Sequence, residues 1–452
     1  MLSRDLDIQR IAVFGLGKLG ACVAAALAGG GFEVVGLDVD GSKVEALSQG
    51  RAPVDEPGLQ DLIGRAGPRL RATRDIAEAI ESSQAAFFVP ATPSLPDGSF
   101  SNEHMLGALQ SAAEAVQFRR KSGYLFVVNS TVTPGSCDRV FRPLLESILG
   151  GRLGEHFGLC YNPEFIALGD VIRGLTEPDF VLIGESDPVS GQRLEEVYRR
   201  FCVRPAPICR MSNLNAELAK ISVNCYVTMK ISFANQLAGL CTRMSGADPR
   251  VILQAIGRDY RIGGAYLKPG LGYGGPCFPR DNGLFLYTAA AVGAQAPLAE
   301  ATESVNRQVN QRLLGTVLAH HQGDSPIAVL GLAYKPDTSV IDCSPGVWLS
   351  EQLANHGRRV LAHDYMAGPN ASRVLTNGRI TICPEPEEVF RSGCQVFVIT
   401  CPWPSYRRLF ASVEAGALGA SAVVIDPWLV LGGLDFLAAL PMTHISSLGA
   451  AD

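Results

Sequence analysis

The chain has 452 residues, 47% of them apolar and 18% charged, with a formal charge of −5. That length exceeds one hydrophobic core and predicts two or three domains, while the slight excess of acid leaves no basic footprint for nucleic acid. The 12 cysteines lack paired or metal-type spacing and the seven histidines form no HExxH-like cluster, so reduced thiols, a cytoplasmic location and no metal site are expected.

Met1–Arg10 mixes acids and bases and is expected to be neither a signal nor a transit peptide. A β-rich run, Arg10 to Phe14, leads into Gly15-Leu16-Gly17-Lys18-Leu19-Gly20, then an Ala-rich helix to about Gly29, then a second strand, Glu33–Leu37, closing on Asp38. Strand, GxGxxG, helix, strand and acid in this order form a dinucleotide-binding pattern. The glycines permit a tight turn and the approach of a pyrophosphate, and the acid accepts hydrogen bonds from the adenosine ribose. An acid at Asp38 argues for NAD over NADP, because it would repel a 2′-phosphate.

Strands at Ala85–Val89, Tyr124–Val128 and Phe180–Ile183 alternate with helices, as in a doubly wound parallel sheet. Two loops follow strands at the carboxyl edge, where such folds bind ligands: Pro90-Ala91-Thr92-Pro93 and Asn129 to Gly135. The hydroxyls of Thr92 and Thr131 serve equally as ligand contacts or as turn and cap formers. Tyr161-Asn162-Pro163-Glu164-Phe165 places a carboxylate at a strand end, in what is by itself ordinary loop chemistry.

A Pro- and Cys-containing linker, Arg204 to Met211, is expected to close the first domain. Ser212 and Asn213 would cap a long helix from about Leu214 to Arg243, with Glu217 in its first turn. On it Lys220 and Asn224 stand four apart, on one face. That face is either solvated or, against a reactive loop, a cation and an amide aimed at one oxygen.

Gly272-Tyr273-Gly274-Gly275-Pro276-Cys277-Phe278-Pro279-Arg280-Asp281 ends a glycine-rich loop on a single cysteine, ahead of an apolar helical run from Asn282 to Val292. A helix N-terminus carries roughly +0.5 of a charge and favours a thiolate, so Cys277 reads as a nucleophile and Asp281 as a cap or a base. Arg261-Ile262-Gly263-Gly264 and Tyr266 add a cation and a phenol ahead of it. A third unit opens at Ile327–Leu330, continues through a strand ending His363-Asp364 and strands near Gln395–Thr400 and Ala422–Ile425, and lacks GxGxxG. Ala415–Leu440, the most apolar late stretch, is broken by Asp426, Pro427 and Asp435 and is not expected to cross a bilayer.

Five of these motifs, in order, resemble the UDP-glucose/GDP-mannose dehydrogenase family across nearly the whole chain. They are GLGKLG with Asp38, STVTPG from Ser130, NPEF from Asn162, the helix bearing Lys220 and Asn224, and GYGGPCFPRD. The resemblance implies an α/β fold of two Rossmann-like doubly wound domains joined by a long central helix and a helical dimerisation domain. The boundaries expected are 1–205 for the NAD-binding domain, 206–322 for the central domain with the cysteine loop, and 323–452 for the nucleotide-sugar-binding domain. It also implies oxidation of a nucleotide-linked hexose at C6 to a carboxylate by two NAD in succession.

Carried over by position, Cys277 would form the thiohemiacetal and thioester, Lys220 and Asn224 would stabilise oxyanions, and Asp281 would assist proton transfer. Thr131 and Glu164 would position or activate water, with Glu164 serving thioester hydrolysis. The cofactor side would comprise Gly15, Gly17, Leu19, Gly20, Asp38, Lys43, Thr92, Thr131 and Arg280. Substrate would meet Glu164, Phe165, Ile166, Ala167, Leu168, Lys220, Asn224, Tyr266, Gly274, Lys335, and Arg261 reaching from a neighbouring subunit of a homodimer.

The chain departs from the family pattern at Leu168, where a glutamate is frequent, at Asp342, where an arginine is expected, and at Trp428, where Asp-x-Arg is usual. Phe165 and the FPRD form suit the glucose branch, UDP-glucose or TDP-glucose, better than the N-acetylmannosamine branch, where an arginine after the glutamate is usual. The same chemistry on GDP-mannose or a UDP-N-acetylhexosamine is the alternative. A two-electron dehydrogenase of the phosphogluconate kind lacks the cysteine and the last unit. A non-catalytic nucleotide-sugar-binding protein would be expected to have lost part of the catalytic set.

Overall fold

In the first sheet, successive residues of β1 (Arg10–Phe14), β4 (Ala85–Phe88) and β5 (Tyr124–Val128) alternate between two apolar clusters. Ile11, Val13, Phe87 and Val127 face one cluster, whereas Ala12, Phe14, Phe88 and Val128 face the other. Strands buried on both faces read as continuous apolar runs, which is why these segments carry almost no polar residue. The computed structural model describes residues 7–166, 168–412, 422–432 and 443–445. Ala167 and most of the Ala415–Leu440 stretch lie outside the described residues.

The chain divides into two compact units, Met1–Ser222 and Val223–Asp452. In the first, β2 (Glu33–Leu37), β3 (Leu70–Thr73), β6 (Phe157–Tyr161), β7 (Val181–Glu185) and β8 (Ile208–Ser212) complete an eight-stranded sheet of order β3-β2-β1-β4-β5-β6-β7-β8. Its first six strands are parallel in the 3-2-1-4-5-6 order of a dinucleotide-binding fold. Within this doubly wound, mainly parallel sheet the strand expected at Phe180–Ile183 is corrected in direction: β7 runs antiparallel to β6, and β8 follows β7 in parallel. The Arg204–Met211 linker is corrected too: it contains most of β8, behind Pro205 and Pro207, and the first unit runs on into the long helix Asn213–Cys241.

In the second unit, β9 (Ile327–Leu330), β10 (Val360–His363), β11 (Ile380–Ile382), β12 (Val396–Ile399), β13 (Val423–Ile425) and β14 (Thr443–Ile445) form a parallel sheet ordered β11-β10-β9-β12-β13-β14. The same topology recurs, with the same switch point between the first and fourth strands. Helices Pro249–Ile256, Phe278–Ala291 and Pro297–His320 belong to this unit. Among the described residues no helix is long and apolar enough to cross a membrane, no group of side chains could hold a metal ion, and no cysteine is joined in a disulfide.

Candidate active site

At the switch point of the first sheet, Gly15 takes a positive φ of 96° and donates its N–H to Leu37 O at 2.7 Å. A Cβ there would lie 2.9 Å from Val89 O, and one on Gly20 would collide with Gly15 O, so the turn is closed to larger residues. Gly17, the residue before helix Lys18–Gly29, faces open space, and Leu19 packs against the apolar core. Asp38 accepts from Leu16 N at 2.6 Å and Asp40 N at 2.9 Å, with Lys43 Nζ at 3.5 Å. Two backbone donors do not exhaust a carboxylate. This open cradle with an acid at the end of β2 fits the ribose and pyrophosphate of NAD.

The loops after β4 and β5 are laced together: Thr92 Oγ1 donates to Thr131 O at 2.7 Å and Ser130 Oγ to Pro90 O at 2.6 Å. Below them Glu217 is fully buried. The long helix starts at Asn213 and has no acid in its first turn, which corrects the first-turn place expected for Glu217. Glu217 accepts instead from Gly135 N at 2.5 Å and Cys137 N at 2.9 Å. Burial pushes its carboxyl upward against those bonds.

The segment after β6 holds Glu164. Lys220 Nζ, on the long helix, donates to Glu164 O at 2.7 Å and stands 4.7 Å over the Phe165 ring. The Glu164 carboxyl accepts from Tyr198 OH at 2.7 Å. Desolvation pushes it up to about 7, against the lowering effects of that bond and of the Lys220 charge. Ile166 and Leu168 pack against the core, so Leu168 anchors this segment as an apolar residue.

In the second unit the cysteine loop is held by its own fold. Gly275 has a φ of 86° and donates to Asp342 O at 2.8 Å; a Cβ on it would lie 2.6 Å from the Tyr334 ring. One on Gly274 would strike the Cys343 carbonyl. The glycines therefore admit Tyr334 and residues 342–343. Asp342 contributes its carbonyl to this contact. Cys277 is exposed immediately before helix Phe278–Ala291, and Arg280 lies in that helix's first turn. That helix starts at Phe278, earlier than the expected Asn282, so the thiol sits at the positive end of the dipole.

Asn224, one turn beyond Lys220, donates Nδ2 to Asp281 Oδ2 at 2.5 Å; Asp281 is buried. One turn further, Thr228 Oγ1 bonds Asn282 Oδ1 at 3.1 Å. The long helix thus fixes the first turn of the cysteine's helix. Tyr266, at φ 60°, meets Phe278 edge-on at 6.2 Å. Arg261 pairs with Asp259 at 2.6 Å, and Lys335 stands 5.9 Å over Tyr334.

A cavity of about 730 Å³ also lies in this unit, lined by Asn235 and Gly239 of the long helix, Arg258, Lys268, Arg312 and Trp428, among others. Arg312 Nε is buried without a hydrogen-bond partner. The Trp428 ring packs on Gly270 and its Nε1 donates to Thr400 O at 3.2 Å. No sequence motif marked Tyr198, Arg312 or this cavity, because their partners come from distant segments.

Comparison with known proteins gives one answer for all three parts of the chain. Residues 9–202, 214–308 and 328–432 match the family models for the NAD binding, central and UDP binding domains of UDP-glucose/GDP-mannose dehydrogenases. The chain is 35% identical over 369 residues to the UDP-glucose 6-dehydrogenase AglM of Haloferax volcanii, covering 80% of this chain and 84% of that one. It is 33% identical over 360 residues to the GDP-mannose 6-dehydrogenase of Pseudomonas putida, covering 79% and 81%. The solved UDP-glucose dehydrogenase of Pyrobaculum islandicum matches with a TM-score of 0.86 at 30% identity, over 100% of both chains.

Proposed function

The chain belongs to the UDP-glucose/GDP-mannose dehydrogenase family and is an NAD-dependent nucleotide-sugar 6-dehydrogenase, and from that premise we propose that it oxidises C6 of UDP-glucose or TDP-glucose to the uronic acid. The observation that carries this reading is the Asn224–Asp281 contact beside a thiol exposed at a helix N-terminus. Phe165, where the N-acetylmannosamine branch usually has an arginine, supports the glucose branch.

NAD supplies the hydride acceptor, used twice. Cys277 Sγ adds to the C6 aldehyde as a thiolate favoured by the helix dipole. Lys220 and Asn224 donate to the oxygen that gains charge in the thiohemiacetal and in the tetrahedral adduct of hydrolysis. Once the second hydride has left, C6 is a thioester. Glu164, with its carboxyl near neutrality, takes a proton from the attacking water, Thr131 orients that water, and the carboxylate leaves as Cys277 Sγ departs. Asp281 holds Asn224 and assists proton transfer.

The reading divides the chain at 1–205, 206–322 and 323–452. Gly15, Gly17, Leu19, Gly20, Asp38, Lys43, Thr92, Thr131 and Arg280 serve the cofactor. Phe165, Ile166, Leu168, Tyr266, Gly274 and Lys335 serve the nucleotide sugar. Its nucleoside end enters the 730 Å³ cavity, where Trp428 offers an aromatic face and Arg312 an unsatisfied donor. Asn235 follows Asn224 by three helical turns on nearly the same face, at about 1.5 Å per residue, so the long helix aligns hexose and nucleoside. Tyr226, Phe233 and Leu240 leave an apolar stripe along the same helix, 58%, 50% and 55% exposed. A second copy of the chain covers this stripe in a homodimer, which brings Arg261 to the neighbouring subunit's substrate.

The test is NADH formed per sugar consumed across UDP-glucose, TDP-glucose, GDP-mannose and UDP-N-acetylmannosamine. Two NADH with a glucose nucleotide preferred is the expected result. Two NADH with GDP-mannose would transfer the same chemistry to the second reading, which the 33% identical relatives support. Binding without any NADH would overturn catalysis.

A further inference from the structure

Tyr198 lies on helix Pro188–Phe201, is 4% exposed, and is used by no step above. Its hydroxyl is 2.7 Å from Glu164 Oε1 and 2.6 Å from Asn162 Oδ1. A phenol has one proton and also accepts, so it satisfies only one of these two acceptors as a donor at a time. Asn162 is itself fixed. Its Nδ2 donates to Leu182 O at 3.0 Å, and Asn129 Nδ2 donates to its carbonyls at 2.8 and 3.3 Å.

We propose that Tyr198 is the positioning residue that lets Glu164 work as a reversible base, by matching its hydrogen bond to whichever protonation state Glu164 is in. With Glu164 ionised, the phenol donates to Oε1. With Glu164 protonated, the carboxylic O–H donates to the phenolic oxygen and the phenol proton turns to Asn162 Oδ1. The O–H bond of Tyr198 is never broken, and the proton that Glu164 gains comes from the attacking water. Neither state leaves a buried polar group unsatisfied, a defect that would cost about 1–3 kcal/mol and bias Glu164 toward one form.

Lys220, Cys202 and Tyr198 are the charged and titratable side chains that act on Glu164 or feel its charge. Lys220, from the long helix, favours its ionised form. Cys202, at the end of Tyr198's own helix, is pushed up to about 11, by burial first and by Glu164 second, and stays a neutral thiol. Burial, then the Glu164 charge, holds the phenol well above its ordinary range, so it remains a donor. The Tyr198 bond is the remaining influence, and it lowers the Glu164 carboxyl.

This inference rests on Glu164 being the base, and the test separates the two. UDP-glucose turnover is followed against pH for Tyr198→Phe, for the chain carrying 3-fluorotyrosine at position 198, and for Glu164→Gln. Removing the donor raises the acid limb of kcat by about half a unit or more, and the more acidic fluorinated phenol lowers it. KM for NAD and for UDP-glucose stay within about twofold in both. The fluorinated side chain is nearly isosteric, so the limb is still read if Tyr198→Phe does not fold. Limbs that overlay the wild type, with Glu164→Gln blocked in uronate release, overturn the role of Tyr198 and leave the base reading intact. Full uronate release by Glu164→Gln overturns both.

Discussion

Glu217 and Cys137 are joined through the backbone: the buried carboxylate accepts the Cys137 N–H at 2.9 Å and the Gly135 N–H from the same oxygen pair. One turn after Glu217 on the same helix stands Lys220, and four residues before Gly135 stands Thr131. A single buried acid thus fixes the helix that presents Lys220 to the loop that carries Thr131. Glu217→Ala would strip two buried N–H groups of their acceptor and is expected to cost about 2–4 kcal/mol, read as a lower denaturant midpoint with unchanged slope. Glu217→Gln, which keeps one acceptor, should lose about half of that.

Glu164 gives a stability prediction with a definite sign. Its folded-state carboxyl is raised to about 7, above the ordinary value of 4.5. The folded state therefore binds the proton more tightly, and this contribution is complete below about pH 4.5 and lost as pH rises through 7. Glu164→Gln should match the wild type in acid and exceed it by about 1–3 kcal/mol near pH 8. Urea denaturation at the two pH values measures this. Equal differences at both would contradict the raised carboxyl.

Cys277→Ser should lower uronate formation by more than about a thousandfold, because an alcohol at this position is neither ionised by the helix dipole nor a comparable nucleophile. Binding of UDP-glucose, measured by calorimetry, should change little. A variant that still yields two NADH per sugar would remove Cys277 from the covalent step.

Asp38→Ala should raise the KM for NAD about tenfold or more while that for the nucleotide sugar stays within about twofold. Leu16 N also loses its acceptor, so a modest fall in Tm accompanies the change.

Trp428→Ala and Arg312→Ala should each raise the KM for the nucleotide sugar, by about fivefold or more, and leave the KM for NAD unaltered. Unchanged KM values in both would place the nucleoside outside the cavity.

The first sheet was legible because its signals are local: β1, the glycine turn, β2 and Asp38 are consecutive, and a strand buried on both faces announces itself in four residues. The lone motif around Cys277 was legible for the same reason. What escaped was set by distant partners. β8 hid in a supposed linker, since its half-buried residues carry no full apolar run. The reversal of β7 depends on how residues 162–180 return at the carboxyl edge. Glu217 was read with its own helix, although its partners lie about 80 residues earlier. The glycines of the cysteine loop make room for Tyr334 and residues 342–343, which are distant in the chain.

Asp364 ends β10 as Asp38 ends β2, yet it is already saturated. Leu332 N, Ala333 N and Trp403 Nε1 donate to one of its oxygens, and Met366 N and Ala367 N to the other. Five donors leave that carboxylate no capacity for a ribose. An enzyme whose two ligands both carry a nucleoside diphosphate, on two sheets of one topology, faces a risk of cross-occupancy. Filling the second acid from within makes the two chambers chemically unlike, so that abundant dinucleotide gains no ribose anchor in the second sheet and competes poorly with the sugar nucleotide there.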